Sequence, residues 1–365
     1  MIRHLTPTSS LPMLILLPLV APLALSVSVA PRLIPAAVPR LIQDDPAEKP
    51  AESTEVVLGP EGHRYRWVSD WLKLPEGMVL GNTHGCVAVD SKGRVYFNTD
   101  AKHAVVVADA DGNVVDTWGS EWAGGLHGMT IVKETEGEFC YLSHIGRHEI
   151  AKVTLEGELV WKSGYPAASG VYQNAGQYRP TGIAVAPNGD IYVGDGYGQS
   201  WCHSFSVTGE YQGSFGGPGT EPGKMRTPHG MIIERVGDET YVVVCDRENH
   251  RLQRFDLDGN LVRVETPGLR RPCNGVFTGD VLAVADLMGR VTLLGLDEKG
   301  ERYVVAHLGD NPEPSRRGVN GVPQEQWADG EFLSPHGIGA DAEGNLYVLD
   351  WNRNGRVSKL ERLKD

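Results

Sequence analysis

This sequence has fewer basic than acidic residues, and it has few cysteines. Lys and Arg together number 34 against 47 Asp and Glu, which gives the 365 residues a formal net charge of −13. Nucleic-acid binding and electrostatic membrane binding both need clustered positive charge, so neither partner is expected. The five cysteines have no CxxC spacing, and an odd number leaves at least one thiol free in an exported chain. We expect most of them to be small buried apolar side chains.

The first 30 residues are predicted to be a signal peptide for export to the periplasm or the extracellular space. Arg3 precedes an almost wholly apolar run over residues 11–29, and the small residues Ser28-Val29-Ala30 offer a cleavage site. The run approaches the length of a membrane span, so an uncleaved N-terminal anchor is the alternative, which three prolines within the run disfavour. Residues 31–62, rich in Pro, Ala and Glu, are expected to form a linker.

An internal repeat is the strongest pattern in the rest of the chain. Each of six segments opens with a polar residue and a glycine and continues with alternating apolar residues. The segments begin roughly 40–60 residues apart, a period typical of a propeller or a solenoid. Their opening pairs are His84-Gly85, His127-Gly128, Thr181-Gly182, His229-Gly230, Asn274-Gly275 and His336-Gly337.

The third repeat has four strand-like segments joined by turns, which is the anatomy of a propeller blade. The turn Pro187-Asn188-Gly189-Asp190 joins its first two strands. The last repeat supplies only about three strands. Residues 64–72 form a spare strand-like segment ahead of the first repeat, and we expect this segment to complete the sixth blade and close the ring.

Two segments resemble the signature that joins strands two and three in the NHL family of six-bladed propellers. They are Asp246-Arg247-Glu248-Asn249-His250-Arg251-Leu252-Gln253-Arg254-Phe255 and Asp350-Trp351-Asn352-Arg353-Asn354-Gly355-Arg356-Val357. The resemblance implies an all-β, six-bladed NHL propeller over residues 63–365, with its ring closed by an N-terminal strand. These motifs specify a fold and not a function.

The histidines that open the repeats are the first candidates for a functional site. The first strand of a propeller blade lines the central channel, so its opening residue lies at the channel mouth. His127, His229 and His336 open alternate blades, and three converging imidazoles with an open fourth position are typical of catalytic zinc. His84 is a candidate fourth ligand or a residue that supports the ligands. The alternative is that these histidines cap strand ends or form a pH-sensitive polar plug.

The sequence also resembles the peptidyl-α-hydroxyglycine α-amidating lyases. The segments that carry this resemblance are Leu126-His127-Gly128, Pro228-His229-Gly230, Pro335-His336-Gly337 and Pro180-Thr181-Gly182-Ile183-Ala184-Val185 followed by Ile191-Tyr192-Val193-Gly194-Asp195-Gly196-Tyr197. The resemblance implies that the three histidines bind Zn²⁺ and that Tyr197 acts in catalysis. It spans residues 84–359.

The sequence departs from that family in the first blade, where the family has a catalytic arginine. His84 is the residue nearest to the position of that arginine, and it is the second catalytic candidate beside Tyr197. Arg179, Arg226 and Arg271 lie shortly before blade openings, where one of them could substitute, although a surface role is favoured for each. Gly337 stands where the family has an acidic ligand for a structural Ca²⁺, and the cysteines of the family's two disulfides are absent.

These residues together predict an exported metal-dependent lyase that converts an α-hydroxyglycine-type amide into an amide and glyoxylate. Its substrate would be a small molecule or a peptide C-terminus, hydroxylated elsewhere, because the chain has no obvious copper monooxygenase domain. The alternative is a non-catalytic propeller that binds a protein, peptide or glycan, which the missing arginine favours. A lactonase-type hydrolase ranks last, since such sites use Glu, Asn and Asp around calcium.

Overall fold

Twenty-five strands in six sheets make up the described part of the chain. The structure is a computed structural model and describes residues 55–364. The predicted signal peptide and the first part of the predicted linker, residues 31–54, lie outside the described residues. Within residues 55–364 the only helices are six short 3-10 segments, and none of them is long and apolar enough to cross a membrane.

The first five blades are four-stranded antiparallel sheets whose strands follow one another in the chain. Two strands precede them, β1 (Val57–Leu58) and β2 (Tyr65–Val68). Blade one is β3 (Thr83–Val89), β4 (Val95–Thr99), β5 (Val105–Ala108) and β6 (Val114–Trp118). Blade two is β7 (Leu126–Lys133), β8 (Glu138–His144), β9 (Glu149–Thr154) and β10 (Leu159–Ser163). Blade three is β11 (Gly182–Val185), β12 (Ile191–Gly194), β13 (Trp201–Phe205) and β14 (Tyr211–Gly216).

The remaining blades repeat the plan, and the sixth joins both ends of the described chain. Blade four is β15 (Pro228–Val236), β16 (Glu239–Asp246), β17 (Arg251–Phe255) and β18 (Leu261–Glu265). Blade five is β19 (Pro272–Thr278), β20 (Val281–Asp286), β21 (Arg290–Leu296) and β22 (Arg302–Leu308). Blade six contains β23 (Pro335–Ala340), β24 (Leu346–Asp350) and β25 (Arg356–Arg362). The 3-10 segments are Ser120–Trp122, Ala167–Ser169, Ala175–Gln177, Arg247–Asn249, Pro314–Arg316 and Gln324–Gln326.

The predicted closure of the ring by an N-terminal strand is confirmed. β2 pairs antiparallel with β25, with Tyr65 opposite Arg362 and Trp67 opposite Leu360, so it supplies the outer strand that blade six lacks. β1 in turn pairs with β2, with Leu58 opposite Tyr65. The sheet therefore begins within the segment predicted to be a linker, before residue 63, because two further residues find backbone partners on the edge of β2.

Hairpin turns within the blades follow the predicted turn chemistry. In blade one the Asp90 carboxylate accepts hydrogen bonds from the backbone N–H groups of Lys92 and Arg94, at 2.9 and 2.8 Å. Gly93 takes the left-handed conformation at φ +77°, which carries little steric cost only for glycine. Residues Asp90 to Gly93 therefore form the turn that joins β3 to β4, closed by the backbone hydrogen bond from Gly93 N–H to Asp90 O at 3.0 Å.

The hydrophobic core lies between blades and not within any one of them. The cluster between blades one and two brings Tyr96 from β4 against Met129, Cys140 and Leu142 of blade two, all of them buried. All five cysteines are buried and unpaired, which confirms the prediction that most of them are small buried side chains and that at least one thiol is free. Because each blade needs its neighbours to cover both faces, the ring must be complete for any blade to be fully packed.

The contact between Trp67 and Phe332 stabilises the closing seam in blade six. Their ring centroids are 4.9 Å apart, and both side chains are buried. The Trp67→Ala variant is expected to lose about 3–5 kcal/mol of unfolding free energy, the usual cost of deleting a large buried aromatic side chain. Chemical denaturation measures this loss. Val115→Ala, at an exposed position on β6, is the control and should change stability by less than about 0.5 kcal/mol. Equal losses in the two variants would contradict the role of this contact.

Candidate functional site

The strand register defines one residue in each blade that faces the central channel. Leu126 pairs with His144, Pro228 with Asp246, Pro272 with Asp286 and Pro335 with Asp350, so these four residues occupy equivalent positions. The residue after each of them lies within the bulge that follows this first pair of the strand. We call the six residues at this position the channel ring; they are His84, His127, Thr181, His229, Cys273 and His336.

This register corrects the alignment of blade five. The sequence pattern placed Asn274-Gly275 where the other blades have their opening pair, but the ring residue is Cys273, one position earlier. Asn274 is already back in the sheet, opposite Ala285, and its amide group donates a hydrogen bond to the Cys86 thiol at 3.2 Å. The polar-residue-plus-glycine pattern could not detect the shift because Cys273 is followed by asparagine and not by glycine.

The structure brings the four predicted histidines together. The ring centroid of His127 is 4.8 Å from that of His229 and 5.0 Å from that of His336. The centroids of His229 and His336 are 4.6 Å apart. These three residues are at most 3% exposed. His84 lies 4.7 Å from His127 and 4.9 Å from His336 by the same measure, and its side chain keeps 17% of its surface exposed at the channel mouth.

Each of the three buried histidines is oriented by a backbone carbonyl of the next blade. Their Nδ1 atoms lie 2.8 Å from Thr181 O (His127), 2.8 Å from Cys273 O (His229) and 2.9 Å from Gly85 O (His336). A carbonyl can only accept, so each Nδ1 carries the proton and each Nε2 keeps its lone pair.

A glycine follows each of these histidines because the carbonyl oxygen of the next blade approaches too closely to leave room for a side chain. A Cβ on Gly128 would lie 2.5 Å from Thr181 O, and a Cβ on Gly230 would lie 2.6 Å from Cys273 O. The corresponding distance from Gly337 to Gly85 O is 2.5 Å. The His-Gly pair of the repeat therefore combines an imidazole with the space that lets the next blade's carbonyl reach it.

The imidazole nitrogens that face the channel fit a divalent metal ion. Nε2 of His127 and Nε2 of His336 are buried and have no hydrogen-bond partner among the described residues. Burial lowers the pKa of His127, His229 and His336 well below the usual value, and neighbouring positive charge lowers it further. Neutral, oriented imidazoles with free lone pairs are the form in which histidine binds zinc.

Possible ligand atoms fall into two overlapping groups of three. His84, His127 and His336 form one, and His229, Cys273 and His336 form the other, with the ligand atoms of each group within 4.8 Å of one another. His336 belongs to both groups.

Tyr197, in the loop after β12, places its phenol group against the histidines. Its hydroxyl oxygen is 3.1 Å from Nε2 of His229 and 3.5 Å from Nε2 of His84. Burial raises the pKa of Tyr197, and the nearby positive charge of Arg247 opposes that rise. The predicted catalytic pair, Tyr197 and His84, thus lies beside the predicted metal ligands.

Arg247 is the functional candidate that the sequence reasoning missed. It begins the 3-10 segment after β16, is 9% exposed, and its Nη1 donates to the Tyr197 hydroxyl at 3.2 Å. Its Nε also donates to Glu248 at 3.0 Å, which fixes the guanidinium. The sequence did contain Arg247, but inside the NHL signature, where it was interpreted as a determinant of fold.

The three arginines considered as substitutes for the family's first-blade arginine lie elsewhere. The side chains of Arg179 and Arg226 are exposed. Arg271 forms an ion pair with Glu248, the same carboxylate that holds Arg247. The guanidinium that does contact Tyr197 belongs to Arg247, in the fourth blade.

Beyond the channel ring, further along the first strands, the channel is lined by uncharged residues. Met129, Ile183, Met231 and Ile338 border a cavity of about 200 Å³ there, together with Thr130 and Asn274. No ionisable side chain lines this cavity, so the titratable groups of the site lie at the channel mouth.

Comparison with known proteins agrees with this geometry. The sequence model of the NHL repeat family matches residues 332–360. The chain is 26% identical over 293 residues to "Probable peptidyl-alpha-hydroxyglycine alpha-amidating lyase pgal-1" of Caenorhabditis elegans, with 74% of this chain and 78% of that protein covered. The chain is a six-bladed propeller that contains a match to the NHL repeat and resembles the amidating lyases.

Other matches to this NHL propeller cover less of the relative or show the fold alone. Peptidyl-glycine alpha-amidating monooxygenase B of Xenopus laevis is 31% identical over 239 residues, covering 62% of this chain and 25% of that protein, so the chain spans about a quarter of its length. A streptogramin B lyase structure superimposes with a TM-score of 0.55 at 15% identity, covering 82% of this chain and 98% of that one.

Proposed function

We propose that this protein is an exported, metal-dependent lyase that splits an α-hydroxyglycine-type amide, R-CO-NH-CH(OH)-COO⁻, into an amide and glyoxylate. One observation carries the proposal: three buried, oriented imidazoles, a phenol and a guanidinium converge at one channel mouth. A propeller that only binds a partner does not need two buried imidazole nitrogens without partners. The printed name of the Caenorhabditis elegans relative supports the same reaction. The N-terminal apolar run supports export.

His127, His229 and His336 would hold the metal through their Nε2 atoms, and Zn²⁺ is the ion that this donor set favours. When bound, the ion would supply Lewis-acid polarisation of a substrate oxygen. The chain's own contribution is to present neutral imidazoles whose orientation is set before any ligand arrives, because each Nδ1–H is already bonded to a backbone carbonyl.

Tyr197 is assigned as the base and Arg247 as the group that controls it. As Tyr197 takes the proton of the substrate hydroxyl, the O–H electron pair forms the C=O bond of glyoxylate and the C–N pair leaves with the amide nitrogen. That nitrogen gains one proton, so the reaction balances. His84 Nε2, 3.5 Å from the Tyr197 hydroxyl, is placed to exchange that proton with solvent at the channel mouth. Arg247 offers further donors to the substrate carboxylate.

The metal content of the purified protein tests the histidine assignment. Elemental mass spectrometry is expected to find about one zinc or similar ion per chain. The His127→Ala, His229→Ala double variant should lose it, because two of the three imidazole donors are removed. A matched control, His103→Ala with His307→Ala, changes two exposed histidines and should retain the metal. A parent protein that stays metal-free after incubation with zinc would contradict the lyase and favour a non-catalytic binding propeller.

Replacement of Tyr197 tests the assigned base. Tyr197→Phe keeps the ring but removes the hydroxyl, so glyoxylate release from an α-hydroxyglycine substrate should fall about 10²–10⁴-fold while metal content is unchanged. Tyr303→Phe, at an exposed position on β22, is the matched control and should behave as the parent. Full activity in Tyr197→Phe would remove the assignment.

Replacement of Arg247 tests the control of that base through the pH profile. The guanidinium lowers the pKa of Tyr197, so Arg247→Gln should raise that pKa. Activity that depends on the ionised phenol would then begin to increase only at a higher pH. The ascending limb of kcat against pH should therefore shift to higher pH. Arg179→Gln, at an exposed position, is the control. A lowered rate with an unmoved ascending limb would show that Arg247 does not act through Tyr197.

A further inference from the structure

Cys273 holds a position in the channel ring that the proposed lyase chemistry does not use. It is the ring residue of blade five, between His229 of blade four and His336 of blade six. The pairing of Pro272 with Asp286 repeats the pairing of Pro228 with Asp246, so the two following side chains leave equivalent points of their sheets. Cys273 is 0% exposed and forms no disulfide.

The Cys273 thiol lies close enough to two imidazoles to share an ion with them. The ligand atoms of His229, Cys273 and His336 are all within 4.8 Å of one another. Zinc binds sulfur at about 2.3 Å and imidazole nitrogen at about 2.0–2.1 Å, so two donors on one tetrahedral ion are roughly 3.5 Å apart. Binding of an ion would therefore have to shorten each separation by at most about 1.3 Å.

A second observation, independent of the cysteine, points to a ligand at the same place. Nε2 of His336 is buried, lies within this group and has no hydrogen-bond partner among the described residues. A buried acceptor that no protein group satisfies is costly unless something else binds it. His336 therefore marks the place where an ion would contact the thiol.

Charge favours an anionic donor here. No carboxylate belongs to either group of ligand atoms in the described chain. Burial raises the pKa of the Cys273 thiol to about 11, and the neighbouring positive charge of the Arg247 guanidinium opposes that rise. A divalent ion held by neutral imidazoles alone would add two further positive charges in a buried place. A thiolate would offset one of them.

We propose that Cys273 binds, as a thiolate, the same metal ion as His229 and His336, so that the site has mixed nitrogen and sulfur ligands. The inference rests on the metal of the proposed function and adds a ligand to it. The thiol proton is released when the metal binds. The sulfur ligand favours zinc or cobalt and disfavours magnesium, calcium and manganese. Arg247 then contacts both the sulfur ligand and the Tyr197 hydroxyl.

Cobalt substitution tests this ligand directly, with no need for turnover. Co²⁺ replaces the bound metal in the parent protein, and the near-ultraviolet spectrum reports a thiolate-to-cobalt charge-transfer band only if sulfur is coordinated. The band is expected in the parent, absent in Cys273→Ala and retained in Cys202→Ala, which removes a buried thiol of blade three. Cobalt affinity in Cys273→Ala should fall by more than the roughly 10–100-fold that loss of a supporting group costs.

Each outcome separates this inference from the proposed function. Stoichiometric cobalt with visible d–d bands but no charge-transfer band would overturn the thiolate ligand and leave the three-histidine lyase standing. Failure of the parent to bind cobalt would overturn both. Circular dichroism of the metal-free variants checks folding. If Cys273→Ala does not fold, Cys273→Ser gives the comparison, and a band that persists in that variant would assign the sulfur to another cysteine.

Discussion

The hydrogen bond from an imidazole Nδ1 to the carbonyl of the next blade is the interaction on which the channel mouth depends. It occurs in blades two, four and six, and each acceptor lies in the following blade. One bond therefore fixes the tautomer of a histidine and the distance between two sheets. The glycine after each histidine permits that distance, since a Cβ there would overlap the acceptor. The same hydrogen bonds thus set both the spacing of the blades and the orientation of the imidazoles.

The electrostatics of the site follow from burial more than from charge pairing. The imidazoles are neutral because burial disfavours their charged form, and the Arg247 guanidinium places a fixed positive charge beside the phenol. Glu248 forms an ion pair with that guanidinium. The groups of possible ligand atoms in the described chain contain no carboxylate, and the cavity further along the channel is lined by uncharged residues.

Much of this arrangement could be predicted from the sequence because it is encoded locally. The turn residues and the His-Gly pairs each lie within a few residues and recur at a regular spacing, and they were enough to predict six blades, ring closure by a strand before the first repeat, and the grouping of four histidines. Tyr197 was found through resemblance, and the structure brings it against the histidines.

What the sequence could not provide depends on register and on contacts between distant residues. Cys273 was missed because it is followed by asparagine and not by glycine, so the pattern was aligned one residue too late in blade five, and only strand pairing reveals the equivalent position. Arg247 was missed because its neighbour in space, Tyr197, is 50 residues away in the chain. A fold signature and a candidate functional residue occupy the same segment there, and no local pattern separates the two roles.

The seam in blade six has a consequence for the order of events during synthesis. The bond from His336 to Gly85 joins residues 251 positions apart, and β2 must wait for β25 before it can pair. Contacts of such separation carry a large loop-closure cost and form late. A nascent chain that has released only five blades therefore has neither a closed ring nor the histidine shared by both ligand groups. A cofactor can be bound only after translation has passed β25, so the site forms only once the ring is closed.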